Sequence, residues 1–85
     1  MDDGAFVTFV ELGGPDAAGT LERLRARLAA AGATSRLLVS RDEADLHLLV
    51  VDGDPPLEGD ETRGARVWRF REAQRPAASA RGRSA

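Results

Sequence analysis

One histidine, His47, sits between Leu46 and Leu48 in an otherwise apolar run. Imidazole titrates nearest to neutral pH, which makes His47 the chain's candidate general base. A base of that kind needs an orienting partner and a nucleophile or substrate beside it, and no triad-like spacing in the sequence supplies them. Packing at a sheet or dimer face, with the ring bonded to Asp45 or an arginine, is the simpler reading, and no catalytic residue is assigned unless it is His47. The aromatic side chains Trp68, Phe70, Phe6 and Phe9 could wall a flat ligand, since they offer large apolar faces and one indole N–H. The expected ligand-pocket set is Trp68, Phe70, Phe9 and His47, with core packing as the competing role.

Two charged groups also have chemical potential. Arg66, Arg69 and Arg71 lie close enough in sequence to grip a carboxylate or phosphate, or to pair across strands with Glu11. Asp52, Asp54, Glu58, Asp60 and Glu61 are hard oxygen donors of the kind calcium or magnesium uses. Their spacing departs from the EF-hand loop and Pro55-Pro56 interrupts it, so a solvated acidic loop is expected and no metal. Gly13-Gly14-Pro15 lacks the flanking residues of a phosphate-binding loop and reads as a turn.

The composition bounds what these residues can serve. With 85 residues, 42% of them hydrophobic, the chain holds one small domain whose core is near the lower limit for standing alone. There are 12 basic and 14 acidic residues and a net charge of −2, which provides no global positive field for nucleic acid or anionic lipid. All the basic residues are Arg. Cysteine is absent, which removes disulfides, thiolate nucleophiles and iron–sulfur ligation together. The acidic first residues do not resemble a signal peptide, and the longest apolar run, Leu48 to Val51, is far too short to cross a bilayer. A cytoplasmic protein without cofactor, nucleic-acid or membrane partner is the expectation.

The elements that position these groups follow from periodicity. Ala5 to Leu12 is rich in aromatic and β-branched residues and stops at Gly13-Gly14-Pro15, which predicts a strand followed by a turn. Alternation puts Phe6, Thr8, Val10 and Leu12 on one face and Ala5, Val7, Phe9 and Glu11 on the other. A helix is predicted from Pro15-Asp16 to Gly32, with a buried stripe of Leu21, Leu24, Leu28 and Ala31. Gly19 allows a later start near Thr20. Residues 33–41 and Ala44 to Asp52 form a hairpin joined at Asp42-Glu43; its second strand is apolar on both faces, Leu46, Leu48 and Val50 against His47, Leu49 and Val51. Asp52 to Gly64 has loop composition. Ala65 to Arg71 is a last strand, with Arg66, Trp68 and Phe70 on one face. Residues 1–72 are expected to form the domain and residues 73–85, rich in Arg and Ala, a disordered tail.

The order strand, helix, strand, strand, loop, strand predicts an α+β fold with an open sheet and one main helix. One helix cannot cover four strands, so the opposite face needs another cover, and a second copy of the chain is the natural one. The helix ending at Gly32 and the hairpin from Thr34 to Asp52 resemble the dimeric α+β barrel superfamily, in particular its small antibiotic-biosynthesis monooxygenase-like proteins. That resemblance implies a ferredoxin-like antiparallel sheet of four strands that dimerises sheet to sheet. Family members usually carry a second helix before the last strand, where this chain has the Pro/Gly/acid-rich stretch from Asp52 to Gly64. No catalytic set is carried over by the resemblance. Two functions are therefore expected to compete: a non-catalytic homodimer with a structural, regulatory or small-ligand-binding role, and a cofactor-independent monooxygenase-like enzyme acting on a small aromatic or quinol-type substrate.

Overall fold

A computed structural model describes residues 5–73; positions 74–85 of the expected tail lie outside the described residues. The chain runs β1 (Phe6–Leu12), α1 (Ala17–Ala30), β2 (Ser35–Val39), β3 (His47–Asp52) and β4 (Arg66–Arg71). The fold is α+β, with one helix and a four-stranded antiparallel sheet in the order β2-β3-β1-β4. β1 lies in the middle, antiparallel to β3 and to β4, and the chain crosses from β1 to β2 through α1.

Each boundary has a local cause. Gly14 takes φ of 107°, a left-handed value that glycine adopts without steric cost, and its carbonyl accepts the Ala17 N–H at 3.1 Å. α1 starts at Ala17 and continues through Gly19. It ends in a Schellman motif: the Gly32 N–H donates to the Ala29 carbonyl and the Ala33 N–H to the Leu28 carbonyl, with Gly32 at φ of 97°. Ala31 is the C-cap and exposed, so the predicted stripe shifts by a turn; the buried residues are Ala17, Leu21, Leu24 and Leu28. The second strand of the hairpin begins at His47 rather than Ala44, because Ser40 accepts two backbone N–H groups in the turn and the Leu46 N–H bonds the Glu43 carbonyl.

α1 packs against β2 and β3. Its leucines meet Val10, Leu49 and Val51 in a core that also takes in Leu12, Leu37 and Val67. Thr8 is fully buried in the same layer and donates from Oγ1 to the Gly53 carbonyl at 2.8 Å. The segment 53–65 closes this side without a helix. Leu57 and Ala65 pack against the core, and the segment is held at both sides by ion pairs. Arg27 on α1 grips the Glu61 carboxylate with two nitrogens and donates to the Pro56 carbonyl. Arg69 on β4 pairs with Asp54 at 2.7 Å and donates to the Pro55 carbonyl. The strap therefore spans from helix to edge strand. The other face of the sheet has no covering element among the described residues.

Candidate functional site

Because side chains alternate along a strand, one face of the sheet carries the core and the other carries everything left over. The registers arrange the open face in three rows. Leu38, Leu48, Glu11 and Arg66 form the first, Arg36, Val50, Phe9 and Trp68 the second, and Asp52, Val7 and Phe70 the third. Phe70 is 53% exposed, Leu38 41% and Trp68 36%, an apolar patch of a kind that marks an interaction surface.

Within the patch the aromatic groups are ordered by cross-strand geometry. Phe9 stands directly opposite Trp68, and its ring meets Phe70 edge to face at a centroid distance of 5.4 Å and an angle of 76°. Val7, Phe9 and Phe70, with Arg71 and Glu72 at the rim, line an open hollow of about 450 Å³. The guanidinium of Arg66 lies 5.2 Å from the Trp68 ring centroid and 3.9 Å from Glu11, which anchors that corner by a cation–π contact and a cross-strand charge pair.

The expected ligand-pocket residues divide into two places. Trp68, Phe70 and Phe9 are together. His47 is not with them: it pairs with Leu12 and Val39 at the far end of β3 and borders a separate hollow of about 270 Å³ with Leu38, Leu46 and Leu48 among its walls. Its Nδ1 lies 3.3 Å from the Asp45 carbonyl, so the hydrogen-bond partner is a backbone oxygen. Phe6 parts from the other aromatics as well, since alternation turns it to the helix side of the sheet.

The charged candidates are dispersed in the same way. Arg66 belongs to the open face, whereas Arg69 and Arg71 alternate to the other one, and Arg69 is committed to Asp54. Among the acids, Asp52 accepts the Thr34 hydroxyl at 2.6 Å, Asp60 pairs with Arg63 and Glu61 with Arg27. The hydrogen bonds from Arg27 hold the Glu61 carboxyl below the usual carboxylate range, and Glu61 in turn raises the Arg27 guanidinium. Among the described residues no group of three or more His, Asp or Glu is placed to hold a metal ion. No helix among them is long and apolar enough to cross a membrane.

Arg36 and Leu38, both part of the open face, were not singled out by residue type. The alternating frame of Arg36-Leu37-Leu38-Val39 is the signal that carries them. Comparison with known proteins adds nothing to this geometry: the chain matches no family model, no curated protein and no solved structure.

Proposed function

We propose that this chain works as a homodimer, two ferredoxin-like units pairing sheet to sheet, in a non-catalytic structural, regulatory or small-ligand-binding role. The strand order with its two crossovers, β1 to β2 through α1 and β3 to β4 through the segment 53–65, supports the ferredoxin-like reading, the strap standing where a second helix would lie. The observation that carries the dimer is the uncovered face bearing Phe70, Trp68 and Leu38 on a sheet whose other face is already filled. Burial of apolar area is the main force in association, and a self-complementary patch closes as a two-fold pair. Native mass spectrometry of the purified protein at micromolar concentration tests this. A species at twice the chain mass is expected, and a clean monomer overturns the reading.

The hollow beside Phe9 and Phe70 favours a second reading, a cofactor-independent monooxygenase-like enzyme for a small aromatic or quinol-type substrate. An aromatic wall suits such a ring. Oxygen uptake by the folded dimer across a panel of quinols and small phenols is the test. Uniform silence removes the enzyme and leaves the non-catalytic dimer standing.

A further inference from the structure

β2 forms one edge of the sheet, and its outer side carries hydrogen-bonding groups that the fold leaves over. The Ser40 N–H donates to the Leu46 carbonyl at 2.8 Å and the Asp52 N–H to the Thr34 carbonyl at 2.9 Å, which fixes the phase of the ladder at both ends. Bonded and non-bonded pairs alternate in an antiparallel ladder. Arg36 and Leu38 therefore turn their N–H and C=O groups to β3, and Ser35, Leu37 and Val39 turn theirs outward. No element among the described residues pairs with that side. Ser35 Oγ, in the same strand, is buried without a hydrogen-bond partner.

The two edges of the sheet are not alike. The bond from the Glu72 N–H to the Ala5 carbonyl sets the phase of β4 in the same way, and its outward residues are Val67, Arg69 and Arg71. Arg69 is tied to the strap through Asp54 and the Pro55 carbonyl. Charges along an edge and a loop against it keep other strands away. β2 has neither: it contains no proline, its outward residues are uncharged, and Val39 and Leu38 are 57% and 41% exposed.

We infer that this edge pairs with the same edge of a second copy, β2 antiparallel to β2 about a two-fold axis at Leu37, as a contact separate from the open face. Backbone bonds form only where outward residues oppose one another, which leaves centres at Arg36, Leu37 and Leu38. At Leu37 every outward residue is matched, Leu37 with its own copy and Ser35 with Val39. A centre at Arg36 sets that cation on itself and leaves Val39 over; a centre at Leu38 leaves Ser35 opposite Arg41 in the hairpin turn. With the axis at Leu37, Arg36 lies beside the second copy's Leu38, its aliphatic stem on the leucine and its guanidinium in water. Pairing of β4 with β4 about Arg69 sets that cation on itself, and β2 with β4 is a head-to-tail contact that does not close. A stable complex buries about 1,200 Å² or more. An edge of 5 residues buries less, so this pairing emerges at millimolar rather than micromolar concentration.

Amide exchange reads the edge directly, because β3 holds the Arg36 and Leu38 amides while the Leu37 amide points sideways into solvent. In the native chain the Leu37 amide is expected to exchange at least about threefold more slowly at millimolar than at micromolar concentration; pairing through the open face leaves it in solvent. Val39→Pro removes one outward N–H, breaks no bond to β3 and suits an edge position, so it should abolish the slowing with far-UV circular dichroism unchanged. The chain has no cysteine, so introduced thiols report the register. Arg36→Cys and Leu38→Cys chains, each also carrying Phe70→Ser to remove face pairing, are mixed, concentrated and oxidised. Their Cα atoms lie about 4.5 Å apart in this register, within disulfide reach; heterodimers are expected, and neither chain links to itself. Equal exchange of the Leu37 amide at both concentrations, or slowing that survives Val39→Pro, overturns edge pairing while leaving the open-face dimer. Self-linking of Arg36→Cys or of Leu38→Cys overturns the axis at Leu37.

Discussion

Phe70 and Phe6 offer a matched pair of perturbations, since both are partly exposed phenylalanines near one end of the sheet and face opposite sides of it. Phe70→Ser removes the most exposed ring of the open face. A phenylalanine presents roughly 200 Å²; with 53% of the residue exposed in the single chain, about 100 Å² of it remains for a partner to cover. At about 25 cal/mol per Å² that is roughly 2.5 kcal/mol per copy, and roughly 5 kcal/mol for a two-fold pair, or between three and four powers of ten in Kd. The entropic cost of association is common to both proteins and cancels in the comparison. Within the chain the same change loses little beyond the edge contact with Phe9, about 1 kcal/mol. Phe6→Ser deletes a side chain that is 39% exposed but lies on the helix side, so it lowers stability and leaves dimerisation unchanged. Sedimentation equilibrium over a dilution series reads the Kd of each, with far-UV circular dichroism confirming the fold. The reasoning fails if Phe70→Ser shifts Kd by less than about tenfold, or if Phe6→Ser weakens the dimer as much.

Leu49→Ala empties a site that is fully buried between α1 and the sheet, and a loss of about 2–5 kcal/mol in urea unfolding is expected; a loss under about 1 kcal/mol contradicts the assignment of the core. Thr8→Val keeps the shape but leaves the Gly53 carbonyl without its donor, for an expected cost of about 1 kcal/mol and faster amide exchange at the start of the strap. The carboxyl of Glu61 is held below its ordinary value of 4.5 by Arg27; a lowered folded-state value stabilises above the unfolded value and is lost as pH falls through the folded one. Melting temperatures should therefore converge between the native chain and Glu61→Gln as pH drops below about 4.5, and a constant gap down to acid pH rules out the clamp. Gly32→Ala places a side chain at a left-handed φ of 97° and should cost about 1 kcal/mol without changing the dimer.

Much of this architecture is legible in residue order because it is built from short-range periods. The leucines at 21, 24 and 28 mark the buried side of α1, and alternation correctly separates Val7 and Phe9 from Thr8 and Val10. It also places His47 on the Leu49 side of β3, so the register of the strands, rather than chemistry, parts His47 from Trp68. The Arg27–Glu61 clamp escapes such reading because its partners are 34 positions apart, and Arg27 is one of several arginines along α1. Leu57 is obscured differently. It is a single leucine in a stretch of prolines, glycines and carboxylates, and its role against the core depends on where Asp54 and Glu61 are pinned. Ala17 joins the core while Ala31 does not, because the helix begins earlier than the leucine stripe suggests and closes with Gly32.

The pairing of Phe6 with Arg71 and the bond from the Glu72 N–H to the Ala5 carbonyl join the two ends of the described chain. The helix and hairpin can form from near neighbours, but β1 keeps a bare hydrogen-bonding edge until β4 arrives through the whole intervening strap. Contacts of such separation form late, and a bare edge accepts any strand that reaches it. During refolding at high concentration the β4 of one molecule can complete the sheet of another, yielding interlocked dimers that exchange strands slowly. Their share should rise with protein concentration during refolding and vanish when refolding is dilute.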